Sequence, residues 1–248
     1  NKVETESGSH DGDGLVRALG SEAATYGMDV SDAKSCYDLR SAKKLDRDLE
    51  DSESATVIGC GYVGVEIATE LEKKGMDITV VDSGTRPAAS SGVEVSEKVL
   101  KYLNDHDINF RGGSKVMEVN EDSIKLESGE EIESDTIIWS GGIQASKLVQ
   151  EYFDTGPKGL PVNSGLSSKE YPNVFAVGDN ADSDFLEVAQ NAEEQAEVVA
   201  ENVAKPDVEA LEEYSEGKLP LIISLGNTAV LSIGDKAIKN RFFRHLKD

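Results

Sequence analysis

Six residues, Gly59-Cys60-Gly61-Tyr62-Val63-Gly64, spell the pattern G-x-G-x-x-G. Its chemistry is done by backbone. Gly59 permits a tight turn, Gly61 lets the main chain approach a pyrophosphate, and Gly64 lets the following helix pack closely on the preceding strand. The first helical residues, Tyr62 and Val63, bring free N–H groups and a partial positive charge toward the phosphates. Asp82 stands 18 residues past Gly64. Its carboxylate there can accept hydrogen bonds from adenosine ribose hydroxyls and would repel a 2′-phosphate. The expected ligand is therefore NADH rather than NADPH, with Arg86 near enough in sequence to blunt the preference.

Other residues are candidates for chemistry by type and place. Glu66 lies two residues past Gly64, and Ser140-Gly141-Gly142 and Gly178-Asp179 are glycine turns that close apolar runs. Cys36 and Cys60 are the only cysteines and form no CxxC, so neither a redox disulfide nor a zinc site is suggested, and no metal is expected. Two free thiols suit a reducing cytoplasm. Cys60, at a variable position of the glycine pattern, reads as a small space-filler.

The elements that must position these residues follow from periodicity. Ala55–Ile58 is a β-branched run that stops at glycine, a buried strand. Tyr62–Lys74 has Val63, Ile67 and Leu71 at helical spacing, with Gly75 as the stop. Asp77–Asp82 is the next strand, and Ser91–Asn104 a helix with Val95, Val99 and Leu103 on one face. Residues 108–111, 114–119, 123–126 and 130–132 read as a small meander, and Thr136–Trp139 as another buried strand. Leu15–Leu19 is a short strand with Arg17 oddly in its middle, 41–51 a charged helix, Val174–Val177 a strand, and Val188–Val203 a helix. Residues 219–225 and 229–233 read as strands, and 237–247 as a terminal helix. Strands alternating with helices predict an α/β protein with mainly parallel sheets.

Composition bounds the function. The chain has 248 residues, 48 acids against 25 bases, and a net charge of −23. So acidic a surface repels nucleic acid, and that class of partner is set aside. The charges would also repel one another at ordinary salt. At molar salt the Debye length falls to about 3 Å and the repulsion is screened. The composition is similar to that of proteins from salt-accumulating halophiles. No run reaches the length of a spanning helix, and no signal peptide is visible. The chain opens at Asn1 in a polar stretch and reads as a fragment whose beginning is missing.

Four segments carry a resemblance: VIGCGYVGVEIATEL (57–71), IIWSGGIQAS (137–146), YPNVFAVGD (171–179) and AQNAEEQA (189–196). A weaker fifth is LVRALGS (15–21). Together they resemble type II NADH dehydrogenase, the single-subunit NADH:quinone oxidoreductase, within the FAD-dependent pyridine nucleotide-disulphide oxidoreductases. The likeness covers roughly 15–235. The family's first flavin glycine motif is absent, Arg17 replaces an apolar residue, and Glu194-Gln195 stand where the family often has two glutamines.

The resemblance implies two Rossmann-like dinucleotide-binding domains, the FAD domain incomplete at its N-terminus and the NAD domain inserted, plus a small C-terminal extension. The expected boundaries are 1–51 and 148–205 for the flavin domain, 52–147 for the NAD domain, and 206–248 for the extension. The implied cofactors are FAD and NADH. Gly178 and Asp179 would meet the ribitol or pyrophosphate side of FAD, and the helix starting at Ala189 would point at the flavin pyrimidine edge. Gly141 and Gly142 would approach the nicotinamide, with Trp139 as core. Glu66 either assists hydride transfer or quinone protonation, or is a carboxylate at a helix dipole. Gln190 and Gln195 are either quinone pocket walls or ordinary polar residues. Ile238, Phe242 and Leu246 with Lys236, Lys239, Arg241, Arg244 and Lys247 form a basic amphipathic tail. That tail either lies on an anionic membrane surface or packs on the protein's own acidic face. The implied activity is hydride transfer from NADH to FAD, then two-electron reduction of a quinone. The implied setting is cytoplasmic, peripheral on the inner face of the cell membrane, with a homodimer allowed. Rivals are a sulfide:quinone or ferredoxin reductase and a non-catalytic NAD-binding module.

Overall fold

A computed structural model describes residues 2–153, 155–185, 187–205, 211–216, 220–233 and 236–246. The strands in chain order begin β1 (Lys2–Thr5), β2 (Gly8–Asp11), β3 (Leu15–Arg17), β4 (Ser21–Ala23), β5 (Ser54–Ile58), β6 (Asp77–Asp82), β7 (Asn109–Gly112), β8 (Val116–Val119) and β9 (Ser123–Leu126). They continue β10 (Glu131–Glu133), β11 (Thr136–Trp139), β12 (Ile143–Ala145), β13 (Leu160–Pro161), β14 (Val174–Ala176), β15 (Ala181–Asp182), β16 (Leu221–Leu225), β17 (Thr228–Ile233) and β18 (Lys236–Asn240). The α-helices are α1 (Leu39–Asp48), α2 (Tyr62–Lys73), α3 (Val93–Asp105), α4 (Lys147–Phe153) and α5 (Ala189–Asn202). Two compact units divide the chain: 25–142 with 218–248, and 1–24 with 143–217.

The first of these units is built on a parallel sheet of order β11-β5-β6-β7. Val57, Val80 and Ile138 are fully buried on three of its strands because both faces are covered. The antiparallel meander β10-β9-β8 lies in the chain between β7 and β11 of that sheet. The antiparallel sheet β16-β17-β18 completes the unit, and its Ile223, Leu225 and Val230 share one apolar core with Val65 and Leu71 of α2 and Val99 and Tyr102 of α3. Asp38 starts α1 by a reciprocal capping box with Ser41. The second unit pairs β3 with β14 in parallel and β4 with β12 antiparallel, with the hairpin β1–β2 and α5. Its core holds Leu166, Phe175, Ala176 and Val199. Among the described residues, no helix is long and apolar enough to cross a membrane.

Several expectations are corrected. The tail is not helical at 237–240: those residues lie in β18, paired with β17, and Arg241–Leu246 form a 3-10 helix. Apolar residues four apart fit a helix, but pairing with β17 satisfies the backbone and sets Ile238 opposite Leu231. The side chain of Leu246, and Lys247 entirely, lie outside the described residues. The strand expected at 108–111 belongs to the parallel sheet, not the meander, because it follows α3 and returns beside β6. The buried face of α2 is Gly64, Val65, Ala68 and Leu71, while Val63 is 55% exposed. The expected boundaries also shift. Residues 25–51 fall in the parallel-sheet unit: Lys34 hydrogen-bonds Ile137 and Trp139 of β11, and Leu45 and Leu49 enter its core. Residues 143–147 fall in the other unit, and 218–248 join the parallel-sheet unit.

Candidate functional site

The β5–α2 turn gives each glycine of the pattern a separate job. Gly59 has φ +97°, its N–H bonds Val81 O at 2.8 Å, and a Cβ on it would run into the Ser140 backbone. A Cβ on Gly64 would run into the Gly59 carbonyl. A Cβ on Gly61 would meet nothing within 4 Å. Two glycines are thus required by the protein's own packing, and the third faces open space. Gly61 is also the N-cap of α2 and supplies no side-chain cap, so the first-turn N–H groups have no side chain competing for them. This arrangement fits a dinucleotide pyrophosphate.

Asp82 ends β6 at the rim of this turn. Its Oδ2 accepts from Cys60 N at 2.5 Å and its Oδ1 from Gly84 N at 2.6 Å. The carboxylate therefore braces the glycine loop as well as facing a cleft of about 600 Å³, which Gly59, Met28, Lys115, Met117 and Gly141 also line. Arg86 is exposed. Cys60 is buried, and burial with the nearby Asp82 charge pushes its thiol up to about 12. Burial also raises the Cys36 thiol. Neither thiol is a nucleophile at neutral pH.

Trp139 is buried, as expected of core, and a Cβ on Gly141 would run into its ring. Gly142 has φ +115°. Tyr26 Oη donates to Gly141 O at 2.9 Å and Tyr37 Oη donates to Gly142 O. These two tyrosines pin the glycine loop and were missed in the sequence, where neither belongs to a motif. Glu66 is half-buried on α2, and its Oε1 accepts from Ser224 N of β16 at 2.9 Å. Nothing in the sequence links positions 66 and 224.

The other unit holds the second set of predicted residues. Val177 N donates to Arg17 O at 3.1 Å, extending the β3–β14 pairing to the turn. Arg17 itself is buried, and burial lowers its pKa to about 10. Gly178 has φ +57° and its N–H donates to Gln195 Oε1 at 2.8 Å. Asp179 Oδ2 accepts from Ser21 Oγ at 2.7 Å. Asn180 Nδ2 donates to Gly20 O at 3.1 Å. Gly178, Asp179, Gly20 and Ala189 line a cleft of about 500 Å³. Helix α5 opens there from Val188, without a side-chain cap. Burial and the Asp179 charge raise the pKa of Glu187 beside it, while Lys158 acts the other way. Ala189 and Gln190 are exposed, whereas Gln195 is buried. The two glutamines are therefore not brought together on one wall. Asp179, Gly178 and Gln195 are brought together, with Ser21 as the partner that sequence reading missed.

The chain is similar to known proteins in sequence and in fold. The pyridine nucleotide-disulphide oxidoreductase family model matches residues 1–196. A type II NADH:quinone oxidoreductase of Staphylococcus aureus is 28% identical over 97% of this chain and 70% of its own length. The one from Staphylococcus saprophyticus is 27% identical over 82% of this chain and 60% of its own. This chain thus spans less than the full length of the curated relatives it matches. Among solved structures, the NADH complex of NDH2 from Plasmodium falciparum aligns with a TM-score of 0.82 at 15% identity, over 96% of this chain and 74% of that one. The NADH-bound water-forming oxidase of Lactobacillus brevis gives 0.76 at 23% identity, over 91% and 53%. The chain therefore belongs to the pyridine nucleotide-disulphide oxidoreductase family, with FAD and NAD(H) as the cofactors that membership carries.

Proposed function

We propose that this chain is the larger part of a type II NADH dehydrogenase that passes electrons from NADH through FAD to a quinone. The observation that carries the reading is the Gly61 turn, open toward a ligand where Gly59 and Gly64 are closed by packing. The names of the curated relatives support the quinone. When bound, FAD accepts a hydride and releases two electrons, chemistry no side chain here can supply.

The residues of the chain do the rest. The α2 N-terminus holds the pyrophosphate of NADH, and Asp82 selects against a 2′-phosphate. Gly141 and Gly142 admit the nicotinamide without a side chain in the way, and Tyr26 and Tyr37 keep that loop in place. Glu66 is fixed by Ser224 N, which favours one carboxylate position over a mobile one. Asp179 and the α5 N-terminus receive FAD, the helix end stabilising negative charge on the flavin edge. The outer face of β16–β18 carries Ile233 and Ile238, with Phe242 beyond, at 52%, 56% and 63% exposure, and Lys236 stands opposite Ile233. An anionic membrane surface suits that combination.

Steady-state NADH oxidation with a short-chain quinone, oxygen and a ferredoxin as separate acceptors tests the reading. Quinone reduction well above the other two supports it, and preferential use of oxygen or ferredoxin refutes the quinone.

A further inference from the structure

A cleft of about 570 Å³ opens where the end of α2, the end of α3 and strands β17 and β18 meet. Its walls carry Lys73, Lys239 and Arg241 against one carboxylate, Glu72. In a chain with 48 acids and 25 bases, that balance runs against the composition.

Each nearby glutamate has one oxygen engaged and the other, Glu70 Oε1 or Glu72 Oε2, buried without a hydrogen-bond partner. Glu70 lies 2.8 Å from Lys73 and 3.6 Å from Arg244. Glu72 lies 3.3 Å from His106 Nδ1. Among the described residues, no carboxylate lies within ion-pair distance of Lys239 or Arg241; Asp105, whose pKa Lys239 helps to lower, is itself paired with Lys101 at 2.9 Å. Lys239 Nζ stands instead 4.9 Å from the centroid of the Tyr102 ring, and that ring stacks on His106 with centroids 4.0 Å apart. The cation is thus held in the cleft by an aromatic face, which leaves its N–H donors available. The β16–β17 turn packs against the same ring. Gly226 has φ +53°, and a Cβ there would run into the Tyr102 hydroxyl and the Lys73 side chain. Asn227 and Thr228 add neutral donors beside it.

We propose that this cleft, made by Lys239, Arg241, Asn227 and Thr228 over Tyr102, binds a compact phosphate group of two or more negative charges. A guanidinium fork and a lysine point charge are the pair that phosphate chemistry uses. The volume suits a small phosphate ester or a single headgroup. The net charge of the whole chain opposes a long polyanion such as nucleic acid. Nothing in this assignment depends on the hydride-transfer site.

Titration calorimetry of the full chain with pyrophosphate, with NADH present at saturation to occupy the Gly61 turn, tests it. Sedimentation with phosphatidylcholine vesicles, with and without phosphatidic acid, runs in parallel. The comparison is the double variant Lys239→Gln/Arg241→Gln, with thermal melting and NADH binding confirming that it folds. The expected result is saturable binding to the wild type that weakens at least tenfold in the variant. Loss confined to soluble pyrophosphate identifies a free phosphate ester, and loss confined to phosphatidic acid vesicles identifies a lipid headgroup. Equal binding by the two proteins, or binding of neither probe by the wild type, overturns the proposal.

Discussion

Replacing Gly61 by alanine separates ligand binding from folding at the glycine turn. Gly61 has φ −73°, allowed to any residue, and its added methyl meets no protein atom within 4 Å. The stability cost is that of a poorer N-cap, about 1 kcal/mol. The methyl would instead occupy the approach to the α2 N–H groups. Losing one charge-assisted hydrogen bond there costs about 1.5–3 kcal/mol, a rise in Kd of roughly 10- to 150-fold. Gly64→Ala should do the opposite. Its methyl enters the Gly59 carbonyl, and overpacking of this kind costs roughly 1–3 kcal/mol or more. For a chain of this size each kcal/mol lowers Tm by about 2–4 °C. NADH titration by fluorescence, beside thermal melts of both variants, reads the two effects. Wild-type NADH binding by Gly61→Ala, or a Gly64→Ala that melts no lower than Gly61→Ala, would contradict these roles.

Three other outcomes follow from the geometry. Glu66→Gln keeps an acceptor for Ser224 N and should melt near the wild type, whereas Glu66→Ala strands that N–H at a cost of about 1–3 kcal/mol; equal denaturant midpoints for the two would contradict this. Gln195→Leu removes the acceptor of Gly178 N–H, so stability should fall by a similar roughly 1–3 kcal/mol and FAD affinity with it; unchanged flavin retention would rule out the positioning role. Because the folded Cys60 thiol is raised to about 12, its protonated form is favoured on folding. Its contribution is complete below the ordinary thiol pKa and is lost as pH rises toward 12. Cys60→Ala should flatten the alkaline fall in denaturant midpoint, and Cys60 should alkylate at pH 8 only in denaturant.

The readable parts of the sequence were those whose physics is local. The strand at 55–58, the three glycines and Asp82 fall within one βαβ unit, and Gly64 answers to Gly59 five positions back, although the space around Gly59 is also closed by the distant Ser140. The Gly178-Asp179 turn was legible for the same reason. Long-range partners were not: Glu66 with Ser224, Asp179 with Ser21, and Gly141 with Tyr26 are each more than a hundred positions apart. In the tail, Ile238 and Phe242 match a helical period, while the choice of strand comes from β17, a partner the pattern does not reveal. The boundary near 51 was misplaced for a related reason. Residues 25–51 carry no repeat of their own and join the parallel sheet through Lys34 and two tyrosine hydroxyls.

Anaerobic mixing of the chain with FAD and NADH, followed by flavin absorbance, tests whether NADH reduces flavin held by this chain. The flavin band should bleach with NADH far faster than with NADPH, and the bleaching should weaken sharply in Gly61→Ala. A flavin that is retained by the chain and stays oxidised in the presence of bound NADH would contradict that reduction.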